Sequence, residues 1–151
     1  MLLKTLQTIF IRDLSRLKKE IEQYQDEEMM WTIENSIANS AGNLCLHLVG
    51  NLKTYIGLHL GSTGYIRDRK FEFAGKNVPK EELLASITKT IEVVTITLDE
   101  LTEEDLSKEF PIKVFEEKTS TEFMLIHLAT HLNYHLGQVN YHRRLLDKVI
   151  Y

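Results

Sequence analysis

His127, His131, His135 and His142 are four of the six histidines in the chain, and all fall within residues 127–142. The residues between them follow a helical pattern, so their spacing has a geometric meaning. A helix turns by about 100° per residue, and a four-residue step returns to nearly the same face with a drift of roughly 40°. The four imidazoles therefore share an arc of about 80° along one helix edge. Neutral imidazoles stacked this way are what a borderline ion such as Zn²⁺ needs from two of its ligands. The same side chains also have structural uses. A lone histidine at a core edge is ordinarily hydrogen-bonded to a carbonyl, and crowding on a solvated edge is another reading. Three in register set metal ligation beside both.

One helix supplies only two ligands at tetrahedral geometry, so a third must come from elsewhere. His47 is the candidate, placed mid-helix between Leu44 and Leu48. A histidine among leucines is costly unless both ring nitrogens are satisfied, and taken alone it reads as a core histidine. His59 falls at the rim of the same helix. Spacing leaves His127 with His131 as good a pair as His131 with His135. A three-histidine site keeps a position open for water or substrate, and an ion there lowers the pKa of a bound water or thiol. Gln138, Asn51, Asn133 and Tyr134 are the nearby candidates to orient the imidazoles.

Other chemistries lack their residues. Leu128 and Leu132 stand where a His-Glu-x-x-His peptidase has glutamate. No histidine has glutamate three residues before it, as a ferritin-like di-iron site requires. There is no Cys-x-x-Cys-His, phosphate loop or Gly-x-Ser-x-Gly. Cys45 is a weak nucleophile candidate, because His47 two residues on points away from it on a helix.

Four long periodic segments must carry these residues. The first runs from about Leu2 to Tyr24, with Leu3, Leu6, Phe10, Leu14, Leu17 and Ile21 at three- and four-residue steps. The second opens near 36–40 and runs to about Leu60, closed by Gly61-Ser62-Thr63-Gly64. Residues 61–78 read as a basic, aromatic loop. Pro79, in a first-turn position ahead of Glu81 and Glu82, opens a third helix reaching about Leu101. The β-branched run Val93–Thr97 inside it has strand character, but the surrounding pattern favours helix. Thr102-Glu-Glu-Asp105 predicts one short turn. Phe110–Lys118 reads as extended, by alternation of Ile112, Val114 and Phe115. Thr119-Ser120-Thr121-Glu122 caps the fourth helix, which runs to about Lys148 with Met124, Leu128, Leu132, Leu136, Val139 and Leu146 as its core face. These elements predict an all-α four-helix bundle with long connecting loops, as one domain over residues 1–151.

A net charge of −4 argues against a nucleic-acid partner. The single cysteine excludes an intrachain disulfide and points to a reducing compartment. No apolar run approaches the roughly 20 residues of a membrane span, and Lys4 and Arg12 interrupt any signal-type stretch. A cytoplasmic protein without a membrane partner is the expectation.

Two stretches carry a family resemblance. Asn35-Ser-Ile-Ala-Asn-Ser-Ala-Gly-Asn-Leu-Cys-Leu-His47-Leu-Val-Gly-Asn-Leu52 resembles the second-helix motif of the DinB/YfiT-like superfamily. His131-Leu-Asn-Tyr-His135-Leu-Gly-Gln138-Val139 resembles its last-helix motif, ending in His-x-Gly-Gln. The resemblance spans essentially the whole chain and implies a DinB/YfiT-like four-helix bundle, often a homodimer. It implies a divalent ion, zinc or nickel, held by His47, His131 and His135. His127, Gln138 and Asn51 would then line the site, and His142 would stand aside. Some relatives are thiol-dependent transferases acting on a small molecule with a low-molecular-weight thiol. The alternative is a non-catalytic metal-binding or interaction protein of the stress-response type. The superfamily's name refers to DNA damage, yet nothing in the chain suggests DNA binding.

Overall fold

The computed structural model describes residues 1–147. The described residues form five α-helices and no β-strand: α1 (Leu2–Gln23), α2 (Ala41–Leu52), α3 (Arg69–Ala74), α4 (Lys80–Glu100) and α5 (Thr121–Leu146). The expected end of the last helix at Lys148 lies outside the described residues. No helix among them is long and apolar enough to cross a membrane.

The leucine–isoleucine stripe of α1 is buried along its length and faces α4 and α5. Burying an apolar stripe against neighbouring helices supplies most of a helix's stability, since propensity alone is marginal at such lengths. Helix α2 starts later than 36–40, because Asn35 takes a left-handed φ of 56° and residues 33–38 are exposed. Ser40 caps it instead, its hydroxyl accepting from the Asn43 N–H at 3.2 Å. Every residue of α2 except Leu46 is buried. Such a helix needs neighbours on all sides: α5 and α4 cover part of it, and α3 covers another part. Its continuation, Lys53–Leu58, widens into a π-helical turn, with the His59 N–H donating to the Thr54 carbonyl at 3.1 Å. Such turns recur at functional sites.

The 61–78 segment is not wholly loop. It contains α3, capped by Asp68, whose carboxylate accepts from the Phe71 N–H at 3.0 Å. Six residues with no apolar period were invisible to a periodicity argument. Pro79 is the N-cap of α4 rather than a residue of its first turn. Val93–Thr97 is helical throughout, packing having overridden its local β preference. The extended reading of Phe110–Lys118 is corrected. Only a lone antiparallel bridge between Glu109 and Ser120 forms, while Phe110 N–H donates to Thr119 and Thr121 N–H to Lys108, each at 2.8 Å. Alternation without a partner strand leaves the backbone to bend. Ser120 caps α5, as its pattern predicts, accepting from the Phe123 N–H. Leu146, expected in the α5 core face, is only partly buried, whereas Met124, Leu128, Leu132, Leu136 and Val139 are buried. The packing of α2 on α5 brings the middle of the second helix to the histidine edge of the last.

Candidate metal centre

His47 comes from the middle of α2, and His131 and His135 from successive turns of α5. One ring nitrogen of each lies within 4.8 Å of the others. The Nε2 atoms of His47 and His131 are 3.3 Å apart. Nitrogens bound to one tetrahedral ion at 2.0–2.1 Å are separated by about 3.3–3.4 Å, so this spacing fits the edge of such a site. The ring centroids are 5.1, 5.5 and 4.6 Å apart for His47–His131, His47–His135 and His131–His135, so the three rings form one close cluster. His131 Nδ1 and Asn51 Oδ1 are buried without a hydrogen-bond partner among the described residues. The three-imidazole donor set and its His47–His131 edge therefore fit a divalent ion of the kind that imidazole binds.

The far nitrogens of two rings are held by acceptors. His135 Nδ1 donates to Gln138 Oε1 at 2.6 Å, and His47 Nδ1 donates to Glu72 Oε1 at 3.1 Å. A donor at Nδ1 fixes the tautomer with its lone pair at Nε2, the usual outer support of a metal-binding histidine. Burial lowers the His47 pKa against the opposing pull of Glu72. Burial first, then the neighbouring imidazoles, pushes His131 down to about 4. Both rings are thus neutral near pH 7 with their lone pairs free.

A stability prediction follows for the metal-free protein. The His131 pKa falls from 6.5 to about 4 on folding, so between those values the unfolded chain holds the extra proton. Its contribution is complete above pH 6.5 and is lost as pH drops towards 4. Urea unfolding with chelator present, from pH 7 to 4, should show a shallower loss of stability for His131→Gln than for the unaltered chain. Parallel profiles would refute it.

The remaining candidates divide. His127 is half-buried, stacked on His131 at 6.1 Å and set against Phe115 at 4.9 Å, outside the convergent trio. Asn51 is buried one turn beyond His47. Asn133 turns away, donating to Asp13 Oδ2 at 3.1 Å. Tyr134 is exposed beside His135, its ring 5.2 Å away. His59 lies against Tyr55 and Phe110, each ring 6.3 Å off. Burial pushes the Cys45 thiol up to about 12, which leaves it inert. His142 stands apart from the three convergent histidines, as expected, and is buried, with Nδ1 2.6 Å from the Tyr24 hydroxyl and Nε2 2.8 Å from the Thr32 carbonyl.

Sequence reasoning missed Glu72, Arg67 and Phe73. Arg67 forks onto Glu72, with Nε donating to Oε2 at 2.7 Å and Nη2 to Oε1 at 2.8 Å. The Phe73 ring lies 4.9 Å from that of His47. Gly50, three residues after His47, was the one available signal, since a side chain there would overlap the Glu72 carboxylate. A cavity of about 570 Å³ flanks His135 and Gln138, walled by Ile37, Leu44 and Tyr141.

Among known families, residues 2–150 match the one described as "Protein of unknown function (DUF1572)". No curated protein matches the chain.

Proposed function

From a chain that belongs to the DUF1572 family and gathers three histidines at one point, we propose a divalent-metal-binding protein of the DinB/YfiT-like type. His47, His131 and His135 are its ligands, and zinc or nickel, which the family resemblance implies, is among the ions that imidazole suits. The observation that carries this reading is the approach of the three ring nitrogens to within 4.8 Å of one another. In the same reading α1, α2, α4 and α5 are the helices of a four-helix bundle, whose second and last members supply the ligands.

The activity proposed is thiol-dependent transfer to a small molecule. A bound ion would supply a Lewis acid that makes a thiol or water more acidic at neutral pH. The chain's own residues do the rest. Gln138 holds His135 in one tautomer, Glu72 does so for His47, and Leu44 and Ile37 offer an apolar wall beside His135. A cavity of about 570 Å³ supports a substrate of small-molecule size. Tag-free protein measured by elemental analysis should carry about one zinc or nickel per chain. It should then consume a low-molecular-weight thiol in the presence of an epoxide or aryl halide. Metal-free protein that also fails to take up either ion overturns the reading.

A homodimer is also proposed. Phe123, Ile126, Tyr134, Tyr141 and Leu145 are exposed along α5, a face that a second copy would cover. Sedimentation should give about twice the chain mass of 17.6 kDa, and a mass near 17.6 kDa at micromolar concentration would count against it.

A further inference from the structure

Glu72 is 4% exposed, and a buried carboxylate is expensive unless it is paired and hydrogen-bonded. Here both oxygens are engaged, Oε2 by Arg67 and Oε1 by Arg67 and His47 together. A leucine or methionine at this position would bury more cheaply. What the carboxylate adds is an acceptor aimed at His47 Nδ1. Arg67 Nη2 also lies 3.4 Å from that nitrogen, but its shorter contact to Glu72 leaves Nδ1–H free to donate to the carboxylate.

The scaffold makes room for this contact. Gly50 sits in the interior of α2, where glycine is less favourable to helix than alanine. A Cβ there would collide with the Glu72 carboxylate, so the close approach explains the residue. Asn43, one turn before His47, donates through Nδ2 to the carbonyls of Glu72 at 3.0 Å and Gly75 at 2.8 Å. Helix α3 adds the Phe73 ring, 4.9 Å from that of His47. Glu72 is its one buried residue, while Phe71 and Phe73 are 47% and 40% exposed. The segment is thus seated on α2 by polar contacts and by the Phe73 ring, and the contacts of Glu72 and Phe73 both end on a ring that an ion would fix.

We propose that Glu72, braced by Arg67, is the positioning residue of the metal centre, and that seating of the 65–75 segment on α2 and metal binding strengthen each other. This inference rests on the ligand assignment proposed above. Coupling is reciprocal: whatever factor the seated segment adds to metal affinity, the metal returns to the seating. Loss of such an outer partner weakens metal binding by about 10- to 100-fold.

Zinc affinity measured against a chelating dye tests it, for the unaltered chain and for Glu72→Leu, Glu72→Gln and Gly50→Ala. Glu72→Leu should weaken zinc by about 10- to 100-fold. Glu72→Gln, which keeps a carbonyl acceptor, should recover part of that loss. Gly50→Ala keeps every ligand and improves helix propensity, yet should weaken zinc by displacing the carboxylate. Hydrogen exchange on the unaltered protein needs no variant: amides 69–75 should exchange more slowly with zinc bound. His47→Ala separates the two readings. If it retains zinc, the ligand assignment fails. If it loses zinc while the Glu72 and Gly50 variants bind within twofold of the unaltered chain, or amides 69–75 ignore the metal, the coupling fails.

Discussion

Replacing His131 with alanine should empty the metal centre and leave the fold in place. His131 is the ring that faces both partners, with its Nε2 3.3 Å from that of His47 and its centroid 4.6 Å from that of His135. Two imidazoles on different helices hold an ion far more weakly than three. The affinity loss should exceed about 100-fold, the upper end of what an outer partner alone costs. Zinc per chain after desalting should fall to near zero. Folding should change little, because the half-buried ring has no hydrogen-bond partner at Nδ1 to lose. His127→Ala is the internal control, since that ring stacks on His131 without joining the three convergent atoms. Metal content should survive there. Equal loss in both variants would shift the assignment to the His127–His131 pair, and loss in His127→Ala alone would remove His131 from the ligand set.

His142→Ala should give the opposite pattern, keeping the metal and losing stability. Burial keeps the Tyr24 hydroxyl protonated, so it donates to His142 Nδ1, and Nε2–H then donates to the Thr32 carbonyl. The ring ties α5 to the end of α1 and to the residue just after the short helix Glu27–Trp31. Truncation strands a buried hydroxyl and a carbonyl and opens a cavity, together about 3 kcal/mol. For a chain of this size that lowers Tm by about 6–12 °C. Thermal unfolding beside elemental analysis checks both halves. Unchanged Tm, or metal lost along with stability, would contradict the structural role.

The contrast between these histidines shows what spacing can and cannot carry. Helix arithmetic places all four on one arc, and for His131 and His135 the arc faces α2. His142 lies about 10 Å further along the axis, where the neighbours are Tyr24 and Thr32. An angle around a helix says nothing of what the next element presents at that height. His47 was legible because a histidine among leucines needs partners, and the family resemblance supplied the pairing. Glu72 was not legible. Its role depends on α3, a six-residue helix with exposed phenylalanines, folding back over Gly50. The long helices were readable because an apolar stripe repeats over many turns, as in α1. Where the pattern was short, as at Phe110–Lys118, alternation predicted an extended run that no partner strand supports.

Anomalous diffraction from crystals of the zinc-loaded protein, collected on both sides of the zinc edge, most directly tests whether these histidines form a metal centre. The expected result is one zinc-specific peak within bonding distance, about 2.0–2.1 Å, of a ring nitrogen from each of His47, His131 and His135. A peak bound by His127 and His131 without His47, or no zinc peak between α2 and α5, would contradict it.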